Sequence, residues 1–193
     1  MTFFRFVRNI NARMQNWREI ERFGGTEFLK YHHRVMGELN FSRRLSASLS
    51  WGWEDGVRYT ENPFLGRAKL GSAEFSFRPT SRFETGFTAN LSRFVDPRSN
   101  AEVFDVRLYR TRTTYQFTER LLVRNILEYD SWENKLGVNL LLTYRINAGT
   151  VAFLGVDDRL QDETNINPNF FDAGVLRRTS RAFFFKLSYL FRQ

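Results

Sequence analysis

Between Lys135 and Ile146 the chain alternates almost without interruption. Leu136, Val138, Leu140, Leu142, Tyr144 and Ile146 fall on one face, and Lys135, Gly137, Asn139, Thr143 and Arg145 on the other. Leu141 alone breaks the pattern. Period-two alternation marks a β-strand with one apolar and one polar face. A run of this length exceeds the usual strand of about 5–6 residues and suits a tilted strand crossing a bilayer, which takes roughly 9–11 residues plus overhang. The pattern recurs at 30–41, where Tyr31, His33, Val35, Gly37, Leu39 and Phe41 alternate with Lys30, His32, Arg34, Met36, Glu38 and Asn40. It recurs at 45–54, with Leu45, Ala47, Leu49, Trp51 and Trp53 against Ser46, Ser48, Ser50, Gly52 and Glu54. In 82–94, Phe83, Phe87, Ala89 and Leu91 oppose Arg82, Glu84, Thr88 and Asn90. Further strands are expected at 3–9, 13–22, 66–78, 102–117, 121–131, 150–158 and 180–191. Within 102–117 the phase switches from Phe104, Val106 and Leu108 to Tyr115 and Phe117. One extra residue in a β-bulge would produce that switch.

The connections alternate in length. Ser42-Arg43-Arg44, Pro79-Thr80-Ser81, Thr118-Glu119-Arg120 and Asn147-Ala148-Gly149 are tight polar turns. The links around 55–65, 95–101 and 159–179 are longer and rich in Asp, Asn, Gly and Pro, and 131–134 must be a short turn on their side. Short periplasmic turns and longer outer loops are the habit of outer-membrane barrels. On that assignment Phe41, Phe77, Phe83, Tyr115, Phe117, Tyr144, Tyr189 and Phe191 form a periplasmic aromatic girdle. Trp51, Trp53, Phe104, Tyr129 and Trp132 form an outer one. The expected fold is therefore all-β, an antiparallel up-and-down transmembrane β-barrel. About 11 strands are visible, an odd number where single-chain bacterial barrels have an even one, so a single domain over 1–193 is expected to be the carboxy-terminal part of a larger barrel.

Composition narrows the alternatives. The chain has 193 residues with 21 Phe, no Cys and a formal charge of +8. Aromatics this abundant exclude a disordered chain, and no run approaches the roughly 18 apolar residues of a spanning helix. Without cysteine there is neither a disulfide scaffold nor a thiolate metal site. The first residues, Met1-Thr-Phe-Phe-Arg-Phe-Val-Arg, lack the apolar core of a secretory signal, which also points to a segment of a longer exported protein.

Three stretches resemble a known family: Arg112-Thr-Thr-Tyr115-Gln-Phe117-Thr-Glu-Arg120-Leu-Leu-Val-Arg124, Asn139-Leu-Leu-Leu-Thr-Tyr144-Arg145, and the closing Phe183-Phe-Phe-Lys186-Leu-Ser-Tyr189-Leu-Phe191. The family comprises outer-membrane proteins with an amino-terminal sandwich similar to family 9 carbohydrate-binding modules and a carboxy-terminal barrel domain of unknown function. The likeness is best over 102–193 and weak before residue 28. Two features depart from the family pattern: the turn at 147–149 has no proline, and Arg192-Gln193 follow the terminal aromatic. The resemblance implies the outer membrane of a Gram-negative bacterium, contact with outer-membrane lipid and lipopolysaccharide, and a closing strand read by the barrel assembly machinery. It also implies a link to carbohydrate binding or uptake through the sandwich, which this chain lacks. The expected role is structural or pore-forming, and no enzymatic activity is expected.

No catalytic, cofactor-binding or metal-ligating residue is assigned. His32 is expected to face the lumen near the outer rim, where Asp130, Asp157 and Asp158 are candidates for the same height. A hydrolase with a rim site is therefore one alternative, although histidines in a wet strand are the default. The acidic stretch Asp157-Asp158 through Asp162-Glu163 to Asp172 offers oxygen ligands but lacks the order of a calcium-binding loop. It reads as solvated. Lys30, Arg34, Arg82, Arg124, Arg145 and Lys186 are expected to point inward, with Glu38, Glu84 and Glu128 as partners. The other alternative is a soluble basic β-sheet binding protein. Nucleic acid is not an expected partner, because the arginines are spread over all strands and form no basic stripe.

Overall fold

The computed structural model describes residues 2–7, 9–162 and 176–190. Its elements are eleven strands, β1 (Thr2–Val7), β2 (Ile10–Phe23), β3 (Thr26–Ser42), β4 (Leu45–Arg58), β5 (Phe64–Thr80), β6 (Phe83–Asp96), β7 (Ala101–Gln116), β8 (Leu121–Asp130), β9 (Lys135–Asn147), β10 (Thr150–Asp162) and β11 (Leu176–Tyr189). Their hydrogen-bonded order in the sheet follows their order in the chain. This is an all-β, antiparallel up-and-down fold, as the alternation predicts. Among the described residues no helix is long and apolar enough to cross a membrane.

β2, β3, β4, β5 and β10 run past their expected ends because the backbone ladder continues where the apolar pattern stops, whereas β7, β8 and β9 keep their expected ends to within a residue. β3 and β5 each have 17 residues. The links follow the expected alternation. At one end are the short links 43–44, 81–82, 117–120 and 148–149. Side-chain oxygens close all four: Ser42 Oγ accepts from the Arg44 N–H, Thr80 Oγ1 from those of Arg82 and Phe83, Thr118 Oγ1 from those of Arg120 and Leu121, and Asn147 Oδ1 from that of Gly149. At the other end are 24–25, 59–63, 97–100 and 131–134. Gly24 and Gly25 both take positive φ (59° and 79°), the requirement of a two-residue hairpin turn. The last expected loop lies mostly over 163–175, outside the described residues.

The chain forms two compact units, Met1–Phe75 with Thr88–Arg107, and Ser76–Phe87 with Leu108–Gln193. In the first, β2, β3 and β4 pair in register, so that Met14, Val35 and Trp51 line up across three strands, as do Asn16, His33 and Trp53. That face is apolar. The alternate positions, Trp17, His32 and Glu54 in one row and Gln15, Arg34 and Gly52 in the next, make a polar face. The buried apolar residues Phe28, Val57, Ala68, Ala89 and Phe94 all belong to this unit. A Cβ on Gly56 would sit 2.9 Å from the Phe94 ring, and one on Gly66 would overlap it, so that two glycines leave the space that ring fills. Phe104 stacks on Phe94 with centroids 5.5 Å apart. Gly56 shares the parity of Gly52 and Glu54, which puts Phe94 and Phe104 on the polar face. Phe104 is therefore a packing partner of Phe94 and does not join the expected aromatic girdle.

In the second unit, Tyr109, Tyr129, Leu136, Leu160 and, one row on, Leu127, Val138 and Asp158 share the apolar face. Asn125, Leu140, Val156 and Phe183 continue it. Phe183 and Phe185 are 68% and 69% exposed. Pairing of β7 with β8 runs from Leu108 to Gln116 without a register shift, so the phase switch expected in 102–117 does not fall in that stretch. Leu108 lies on the polar face opposite Asp130. Leu141, the residue out of pattern, is aligned on the polar face with Arg124, Gly155 and Phe184. The Phe184 ring covers Gly155 so closely that a Cβ there would overlap it. An aromatic ring laid over a cross-strand glycine gives Leu141 an apolar neighbour on an otherwise polar surface.

Candidate functional site

Alternation places Lys30, His32 and Arg34 on the polar face of β3, and the register brings two strands of carboxylates to them. Lys30 Nζ lies 2.6 Å from Glu19 and donates to Glu21 at 2.8 Å. His32 is 7% exposed. Its Nδ1 meets Glu54 Oε2 at 3.2 Å, and its Nε2 lies 3.4 Å from Glu19 Oε1 without hydrogen-bond geometry. The imidazole is stacked on the Trp17 indole, 4.6 Å between centroids and nearly parallel. Arg34 lies 3.9 Å from Glu54 and over the Trp17 ring. Tyr59, in the link after β4, donates to Glu21 at 2.5 Å and packs edge-on against Phe23. That hydrogen bond stabilises the neutral phenol and raises the Tyr59 pKa.

These contacts revise the sequence reading residue by residue. Lys30 pairs with Glu19 and Glu21, two carboxylates across the β2 hairpin, and not with Glu38. His32 is indeed on the polar face. Its partners are Glu54 and Glu19, which the strand parities alone did not single out. Asp158, a candidate neighbour of His32, is on the apolar face of β10, where Arg181 holds it at 2.5 Å and Arg178 lies 3.8 Å away. Asp157 lies on the opposite face of the same strand, so this pair of adjacent carboxylates points apart. That divides the acidic ligand set considered for calcium; Asp162 ends β10, and residues 163–172 lie outside the described ones. Glu84 pairs with Arg78 at 2.6 Å. Among the described residues, the polar partners of the His32 imidazole are the carboxylates of Glu54 and Glu19.

The polar face of the second unit holds a concavity of about 450 Å³ lined by Arg110, Glu128, Asp130, Lys135, Asn139, Asp157 and Arg159, among others. Arg110 faces Glu128 at 3.7 Å, Arg159 faces Asp157 at 3.6 Å, and Asn139 Nδ2 donates to Asp157 at 3.5 Å. Glu128, expected as a lumen partner, and Asp130 and Asp157, candidates for the outer rim, all line it. Charges of both signs alternate along this surface.

No protein-family model matches the sequence, and no curated protein matches it. Among solved structures the chain is similar to one described as CymD monoaromatic hydrocarbon channel, at 11% sequence identity and a TM-score of 0.39, over 81% of this chain and 53% of the channel. The chain thus spans about half the length of that structure.

Proposed function

We propose that this chain is an outer-membrane β-barrel segment with a structural or pore-forming role, its apolar face turned to lipid and its polar face to a wet lumen. The observation that carries the reading is the segregation of the two faces. Leu49 and Trp53 are exposed on the apolar face of the first unit, and Leu140, Leu154, Phe183, Phe185 and Leu187 on that of the second. The polar face of the first unit carries the Glu19–Lys30–Glu21 and His32–Glu54 contacts, and that of the second the charged concavity. In water such an apolar face would be a large patch of the kind soluble monomers avoid. In a bilayer it is the stable orientation, and the ladder satisfies backbone groups that lipid cannot. Strands of 13–17 residues, as in β3, β5, β9 and β10, exceed the roughly 9–11 needed to cross and leave overhang at the loop end.

The test is to express the chain behind a signal peptide, fractionate the envelope and compare gel migration before and after boiling. The expected result is outer-membrane localisation with a heat-dependent band, followed by conductance in planar bilayers if the lumen is open. A chain that stays soluble without detergent would sink this reading in favour of a basic sheet that binds a soluble ligand.

A further inference from the structure

Two cations stand on the apolar face where the alternation calls for lipid contact. Leu70 Cβ lies 3.9 Å from a Cβ built on Gly52, a polar-face position, whereas Gly71 is covered by the Trp51 ring on the apolar face. Arg67 and Lys69 share the parity of Gly71, and both are exposed. They stand near the start of β5, at the end of the sheet that carries the longer links. Counting roughly 9–11 residues up from the tight turn after Thr80 reaches the position of Lys69 and Gly71, the level of an outer headgroup layer. Together with Tyr31, His33, Trp53 and Asp55 these two side chains line a concavity of about 200 Å³. Arg18, directly opposite Tyr31 on β2, adds a third exposed cation to the same face. Two carboxylates also line the concavity: Glu54, which meets His32 on the polar face, and Asp55, which accepts the Tyr31 backbone N–H at 3.1 Å. His33 is engaged by Asn16 at 2.8 Å.

We infer that Arg67 and Lys69, backed by Trp53 and Tyr31, bind the phosphate of an outer-leaflet lipid headgroup. The inference rests on the membrane reading above, which sets these residues at the headgroup level. A guanidinium and an ammonium on adjacent positions of one face supply a fork and a point charge to the phosphate oxygens. The aromatic walls occupy the boundary where acyl chains begin. Excess positive charge on a lipid-facing surface is costly at mid-depth and tolerated at the interface, where anionic headgroups compensate it. A soluble phosphate would find no reason for the aromatic walls, so the lipid is the source of choice.

The test is flotation of the refolded full chain with vesicles, combined with native mass spectrometry from detergent. The probes are phosphatidic acid, phosphatidylcholine and inorganic phosphate. The wild type is expected to float with both vesicle types and to retain phosphatidic acid over phosphatidylcholine by roughly 30-fold, the effect of two interfacial cations. R67Q/K69Q should float equally well and lose that preference, and R110Q, on the polar face, should keep it. A double variant with wild-type preference overturns the site while leaving the membrane reading intact. Displacement of the bound lipid by millimolar inorganic phosphate overturns the lipid as source. Failure of the wild type to float with either vesicle overturns both readings together.

Discussion

Single side chains here act through the register that aligns them. Gly155 has no room for a Cβ beneath the Phe184 ring, whereas one on Gly137 would meet only the Glu128 carbonyl at 3.8 Å. Gly155→Val is therefore expected to destabilise the folded protein by about 1–3 kcal/mol through overpacking, and Gly137→Ala to leave it unchanged or slightly stabilised. Urea titration of detergent-folded protein, followed by tryptophan emission, reads both; equal effects would contradict the packing. Tyr59 makes a second prediction. Glu21 accepts its hydroxyl and raises its pKa, so neutral Tyr59 contributes stability that is fully present below the ordinary phenol range and is lost as pH rises through the raised value. Difference absorbance at 295 nm against Tyr59→Phe should place its ionisation above that of a free tyrosine, and Glu21→Gln should bring it down. Neither relation is legible in the sequence: Glu21 and Tyr59 are 38 residues apart and meet only because β2, β3 and β4 are aligned.

At the scale of the strand the two faces have different tolerances. Leu140 and Asn139 are neighbours in β9, the first aligned with Val156 and the second with Asp157. If the apolar face meets lipid, Leu140→Arg should impair insertion by roughly 2–4 kcal/mol at mid-depth, while Asn139→Arg should be nearly harmless beside the Asp157 carboxylate. Folding yield into vesicles checks both, and equal damage would defeat the assignment of faces. Strand positions were legible because period-two alternation is local and long. Their ends were less so. β10 continues to Asp162 through residues of mixed character, and β3 starts at Thr26, right after the Gly24-Gly25 turn. That glycine pair was available as a hairpin signal between the strands expected at 13–22 and 30–41. The expected switch of phase in β7 was an inference from side-chain type alone. Phe104, stacked on Phe94, and Leu108, opposite Asp130, show how apolar residues on the polar face can mimic a bulge.

For the whole molecule, the alternation of short and longer links predicts sidedness. The chain has no native cysteine, so single cysteines report cleanly. A cysteine at Ser99, in the link after β6, should react with a membrane-impermeant thiol reagent added to intact cells, and one at Arg43, between β3 and β4, only after the outer membrane is opened. The reverse pattern would invert the topology, and labelling of both would argue against a sealed span.

The all-β class, the serial strand order and the split of the alternating strands into an apolar and a polar face are readable from the amino-acid order alone. These follow from a two-residue period and from turn chemistry, both of which are local. Who meets whom across strands needs the folded sheet: Trp17 beneath His32, Glu19 and Glu21 around Lys30, Phe104 on Phe94, Asp158 with Arg181, and Phe184 over Gly155. Cross-strand partners depend on register. Register is the sum of turn length, bulges and the staggering of whole strands, and a shift of one residue exchanges every partner and every face at once.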